Sequence, residues 1–176
     1  MRISDLPTPS FVVNRAAFVT NCEKVKRKAE LASLSLRPHV KTHKTAEGAF
    51  IQAFCKPPPL SSDECCVDEN ENVYDHQGLV TGFVASTIPE IKMLLGAAEK
   101  YKSILDRQCS NPFLDIIYAV PISEAKLLQI EAILADSKLG DYGRIRIYLL
   151  IDHSSQVDMI ERVIMTDVCS KDTLSG

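Results

Sequence analysis

The sequence predicts an α/β fold of about five βα units, and three observations predict it. Strand-like and helix-like stretches alternate along the chain, which implies parallel pairing with helical crossovers. The 176 residues carry 45% hydrophobic content, enough apolar material for one ordinary core. A closed (β/α)8 barrel typically takes about 250 residues, so five units describe either a small open sheet or part of such a barrel.

Each element has its own warrant. Phe11-Val12-Val13, after Pro7-Thr8-Pro9, is a β-branched and aromatic run that predicts a first strand, with Asn14 capping the helix after it. Phe18, Cys22, Val25, Ala29 and Ala32 recur at helical spacing, with Lys24, Lys26, Arg27 and Lys28 turned outward. Leu34 to Val40 predicts a second strand, because Pro38 opposes a helix and holds Arg37 extended. A helix from about Thr45 to Phe54 comes next. Residues 55–78 then break the rhythm with Pro57-Pro58-Pro59, Ser61-Ser62 and an acidic run, and read as an irregular insertion. Leu79 to Ala85 predicts a strand. Thr87 and Glu90 form a capping-box pair with Pro89 in the first turn, ahead of an apolar face of Ile91, Leu94, Leu95 and Ala98. Leu114 to Val120 predicts the next strand. Leu127, Ile130, Ile133 and Leu134 line a helix ending near Gly140. Ile145 to Ile151 predicts the last strand, and Ser155 with Asp158 is expected to cap a helix showing Val157, Ile160 and Ile164. Residues 1–165 thus hold the alternating α/β pattern, as an open sheet or part of a barrel, and the tail 166–176 falls outside it.

Charge and composition exclude several classes. A net charge of −3 gives no general attraction to nucleic acid or to an anionic membrane. No run approaches 18 apolar residues, and Met1-Arg2-Ile3-Ser4-Asp5 lacks the pattern of a signal peptide, so a cytoplasmic chain is expected. Its six cysteines have no regular spacing and read as free thiols. The charge is uneven: Asp63, Glu64, Asp68, Glu69, Glu71 and Asp75 fall in a stretch without Lys or Arg, so the remainder is net positive. A zinc site from Cys55, Cys65, Cys66 and His76 fits no Cys-x-x-Cys spacing, and no metal ligands are assigned to this chain.

The densest polar cluster is Arg37-Pro38-His39-Val40-Lys41-Thr42-His43-Lys44-Thr45. It falls where the second strand ends and its βα loop begins, the edge at which parallel α/β folds bind ligands. Alternation puts Arg37, His39 and Lys41 on one face and Val40 on the other. Neighbouring cations and partial burial favour a neutral lysine amine, the form that Schiff-base chemistry needs. A solvated basic loop is the plainer reading of the same residues. His153, beside Asp152 at a strand end, reads either as a second residue lining this mouth or as a local cap.

Leu6-Pro7-Thr8-Pro9-Ser10-Phe11-Val12-Val13, Asn21 and the Arg37-to-Lys44 block together resemble the N-terminal region of the D-serine dehydratase/D-threonine aldolase family. The resemblance continues through residues 83–90, 115–118 and 151–157, and so covers most of 6–164. It implies a fold-type III pyridoxal 5'-phosphate enzyme with an alanine racemase N-terminal-like barrel, of which this chain carries part. By that resemblance Lys41 forms the Schiff base and acts as the catalytic base, and His39 and Arg37 join Lys41 in the cofactor site. The implied reaction is α,β-elimination on a D-amino acid, giving pyruvate and ammonia from D-serine. An aldolase-type cleavage, a non-catalytic cofactor carrier and an inactive fragment are the alternatives. The resemblance also implies a homodimer, and zinc in the full-length family. The resemblance implies that the zinc ligands of that family come from a C-terminal β domain, which is expected to be absent here.

Overall fold

A computed structural model of the chain describes residues 2–58, 82–102, 114–136 and 145–172. Among them the elements run α1 (Arg15–Leu31), α2 (Ala46–Phe54), β1 (Gly82–Ala85), α3 (Ile88–Lys100), β2 (Leu114–Pro121), α4 (Glu124–Asp136), β3 (Ile145–Leu150) and α5 (Ser154–Asp172). The strands form one parallel sheet in the order β1-β2-β3. Gly82, Asp115 and Arg146 lie in register at the amino end, and Ala85, Tyr118 and Leu149 in register near the carboxyl end.

Two predicted strands are corrected. Leu34 to Val40 contributes one parallel bridge, His39 to Val84, made by Val40 N–H to Val84 O at 3.1 Å and Val84 N–H to Pro38 O at 2.9 Å. Pro38 has no N–H to extend the ladder beyond this. Phe11 to Val13 is not a strand, and Phe11 is 81% exposed. Three residues behind two prolines offer too few donors to hold a ladder by themselves.

The core lies between one face of the sheet and the helices. Val40, Phe83, Ala85, Ile116 and Tyr118 point to this side, and Phe50, Ile91, Leu94, Leu127 and Ile130 meet them. A fully buried side chain such as Ile91 or Ile116 is worth about 1.5–3 kcal/mol, so this layer is what holds the loops at the sheet's carboxyl edge. Residues of the opposite parity, Arg37, His39, Gly82, Asp115, Arg146 and Tyr148, belong to the other face.

The helices obey their sequence signals with specific departures. Asn14 caps α1 by accepting from Ala17 N–H at 3.0 Å. Yet no residue of α1 is buried, and Val25 is 50% exposed, because among the helices α1 packs chiefly on α2. On α3, Thr87 Oγ1 accepts from Glu90 N–H at 3.4 Å, but the Glu90 carboxylate reaches back to Ser86 N–H, one residue before the cap. α4 is described to Asp136, and its expected end near Gly140 lies outside the described residues. The face of α5 is rotated from expectation: Met159 and Val163 are buried, whereas Val157 and Ile164 are exposed. Ile160 packs against the core as expected, and the helix meets α4. α5 also runs on through 166–172, into the expected tail. Of the expected insertion, Cys55 closes α2 with φ 54°, and 59–78 lie outside the described residues.

Candidate active site at the carboxyl ends of the strands

The loop after Val40 is built by backbone closure and three polar braces. Lys44 N–H bonds Val40 O at 2.9 Å, turning the chain through 41–43. His39 Nδ1 accepts Lys41 N–H at 3.1 Å, and Nε2 meets Ser86 Oγ at 3.0 Å. An imidazole nitrogen that accepts a backbone N–H carries no proton, so the Nε2–H tautomer donates to Ser86. His39 is held below its ordinary 6.5 by partial burial first and by the Lys41 charge second, with Glu90 opposing weakly, so the ring is neutral at pH 7.

His43 repeats the device one turn later. Its Nδ1 accepts Thr45 N–H at 3.2 Å, and its Nε2 donates to Gln52 Oε1 at 3.1 Å. The Gln52 amide then donates to His39 O at 3.3 Å, tying α2 to the end of the bridge segment. Thr45 Oγ1 caps α2 by accepting Gly48 N–H at 3.0 Å. Gly48 is required here, since a Cβ would fall 2.2 Å from His43 Nδ1. Phe18 of α1 covers the other side of that ring at 5.6 Å between centroids.

Glu90 is the buried charge of the site, 2% exposed. Its Oε2 accepts Ser86 N–H at 2.7 Å, and its Oε1 lies 3.4 Å from Lys44 Nζ. That second contact is an ion pair rather than a well-aligned hydrogen bond, since Oε1 has no partner that meets hydrogen-bond geometry. Burial raises the carboxyl, but Ser86 N–H and Lys44 outweigh it and hold Glu90 below its ordinary 4.5. Lys44 itself has φ 50°, in the left-handed region.

Of the three expected site residues, the structure brings His39 and Lys41 together and takes Arg37 elsewhere. Lys41 is exposed, and among the described residues its Nζ has no hydrogen bond or ion pair. Arg37 Nη2 donates to Asp115 Oδ2 at 3.1 Å, while Arg146 grips the same carboxylate through Nε at 2.7 Å and Nη2 at 3.3 Å. The Arg37 guanidinium also lies 5.3 Å from the Tyr148 ring centre. Gly82 makes room for it, because a Cβ there would sit 3.1 Å from Arg37 Cγ. His153 proves to be a local cap: its Nδ1 accepts Ser155 N–H at 3.2 Å, and Gln156 Oε1 accepts from Asp152 N–H and His153 N–H. The expected Ser155–Asp158 cap is thereby replaced by His153 and Gln156. Periodicity missed Ser86, Glu90 and Gln52 as site residues; Ser86 comes directly after a strand end, the one signal that could have found it.

Cys65, Cys66 and His76 of the rival zinc reading lie outside the described residues. Among the described residues, no three His, Cys, Asp or Glu converge as metal ligands, and no helix is long and apolar enough to cross a membrane. Burial, then Cys55 and Glu23, push the Cys22 thiol up to about 11, so it is present as the thiol.

A parallel sheet alternating with helices, with its polar loop cluster at the carboxyl edge, defines part of an alanine racemase-like barrel. The solved alanine racemase-like protein of Idiomarina loihiensis matches 93% of this chain and 32% of its own length, with a TM-score of 0.52 and 23% identity. In sequence the chain is similar to D-serine dehydratases. It is 26% identical over 164 residues to that of Schizosaccharomyces pombe, covering 93% of this chain and 30% of that protein. It is 32% identical over 125 residues to that of Saccharomyces cerevisiae, covering 68% of this chain and 24% of that protein. The Dictyostelium discoideum protein of the same name is 29% identical over 125 residues. The chain therefore spans less than a third of the length of the curated relatives it matches. No family model matches the sequence.

Proposed function

We propose that this chain carries the cofactor-bonding part of a pyridoxal 5'-phosphate-dependent lyase of the D-serine dehydratase type. The observation that carries the reading is the position of Lys41: an exposed amine, unpartnered among the described residues, beside a neutral imidazole at the sheet's carboxyl edge, in a chain similar to D-serine dehydratases over most of its length. An aldehyde is captured by an amine that is free and not committed to a carboxylate, and this donor set fits that demand. The bound cofactor supplies an electron sink for the charge left when a proton departs from the substrate's α-carbon.

The chain's own residues divide the remaining work. Lys41 offers the amine, and its Nζ is placed to hold the proton taken from a D-amino acid. His39, locked as the Nε2–H tautomer, fixes the backbone of Lys41 through Nδ1 and presents no charge to compete with it. Ser86 accepts the imidazole N–H, so its own hydroxyl proton is free to be donated toward a ligand at the same edge. Arg37, committed to Asp115 at the amino end of the strands, takes no part at the Lys41 loop in this reading.

The test is spectral and chemical. Purified protein with added pyridoxal 5'-phosphate is expected to develop a protein-bound absorbance band, and borohydride is expected to fix the cofactor on Lys41, as located by peptide mass spectrometry. Ammonia release from D-serine then tests the lyase reading. Cofactor fixed on no lysine, or equally on many, overturns the assignment of Lys41.

A further inference from the structure

We infer that Glu90 decides which of the two loop lysines is the free amine: from its buried position it engages Lys44 and leaves Lys41 as the reactive one. This rests on Lys41 being the cofactor-bonding residue, and it assigns to Glu90 a role in positioning and selectivity.

Lys41 and Lys44 occupy the same short loop, and both are exposed. Sequence alone does not separate them as nucleophiles. The structure does, by way of a carboxylate that has nowhere else to turn. Glu90 is 2% exposed, so its charge must be matched inside the fold. Oε2 is matched by Ser86 N–H at 2.7 Å, which leaves Oε1 to Lys44 Nζ at 3.4 Å. A lysine held in an ion pair must leave its carboxylate before its nitrogen can attack a carbonyl. Lys44 is thus the committed lysine.

The same carboxylate fixes the loop from both sides of Lys41. On one side, Ser86 N–H on Glu90 sets the Ser86 hydroxyl against His39 Nε2, and His39 Nδ1 holds Lys41 N–H. On the other, Lys44 stands at φ 50°, which L side chains adopt rarely, held by Val40 O and by Glu90. One buried group therefore restrains residues before and after the reactive amine, and its sign selects between the lysines.

Limited acylation with acetic anhydride measures this without any cofactor. The Lys44:Lys41 acetylation ratio, read by peptide mass spectrometry in the native protein, is normalised to the ratio in urea. The expected native ratio is about fivefold below the unfolded one, the factor given by an ion pair at the upper end of the range for partly exposed partners. Glu90→Gln, which keeps shape and the Ser86 contact but removes the charge, is expected to return the ratio to the unfolded value. Glu90→Asp, keeping the charge, is expected to restore part of the protection. A merely structural Glu90 would expose both lysines together and leave the ratio unmoved in Glu90→Gln, overturning the inference. An equal native and unfolded ratio in the wild-type chain overturns it without any variant. Because acylation needs no pyridoxal 5'-phosphate, failure of cofactor fixation at Lys41 registers separately. Where fixation succeeds, Glu90→Gln is expected to spread the fixed cofactor onto Lys44.

Discussion

At the amino end of the strands one buried carboxylate, Asp115, faces two arginines; at the carboxyl end another, Glu90, faces one lysine and one backbone N–H. Both belong to polar clusters built largely from residues on the same sheet face and the loops that leave it. In the first, Arg37 and Arg146 are both committed to Asp115, and Gly82 and Tyr148 fill in around them. In the second, the polar groups are committed in a chain that stops short of Lys41. The difference separates a cluster whose two arginines both pair with the buried carboxylate from one that leaves an exposed lysine without an ion pair among the described residues. Buried charge alone does not mark a functional site; an unpaired reactive group beside it does.

Lys41→Ala gives the largest expected effect that tests this contrast: complete loss of borohydride-fixed cofactor, with stability within about 0.5 kcal/mol of wild type because the side chain is exposed. Asp115→Asn is expected to do the reverse. It leaves two arginines facing each other, costs about 2 kcal/mol in urea unfolding, and leaves cofactor fixation unchanged. Fixation lost in Asp115→Asn would join the two clusters into one site.

Next in size is Gly48→Ala. Its methyl must displace the His43 ring, for a net loss of about 1–2 kcal/mol after the gain in helix propensity is allowed for. Lys44→Met leaves the Glu90 carboxylate without its cation and is expected to cost about 1 kcal/mol, below the figure for fully buried pairs because Lys44 is largely in water.

The smallest effect is on pH. Glu90 and His39 both have folded values below their ordinary 4.5 and 6.5. For each, the unfolded chain takes up a proton first as pH falls, so the contribution is intact above the ordinary value and lost on acidification through it. Stability measured by urea unfolding is expected to decline in two steps, the His39 step on acidification below its ordinary 6.5 and the Glu90 step below its ordinary 4.5. Removal of the first step in His39→Asn assigns it.

Much of this was legible in the sequence, for identifiable reasons. Helices with a cap and a periodic face, such as α3 with Thr87 and Ile91, were found because both signals are local. The alternation that separates Val40 from His39 was likewise local and is observed. What failed was non-local. Arg37, His39 and Lys41 share parity, but four strand residues span about 13 Å, so the ends of that motif sit in different layers. Only the pairing of β2 with both β1 and β3 discloses that Arg37 falls beside Asp115 and Arg146. Glu90 was read as half of a capping box, and its burial against Lys44 depends on how α3 docks under the loop. The turn of α5 about its axis was set by α4, which no property of residues 154–164 records.

The imidazoles of His39, His43 and His153 each accept a hydrogen bond from the amide N–H of the residue two positions ahead. Asparagine is a short neutral side chain that can close the same corner with its carbonyl oxygen while reaching nothing beyond it. Exchanging the rings one at a time would therefore preserve each bend and silence only its outer nitrogen, so that what a ring does for the turn and what it does for its far partner become separately measurable quantities.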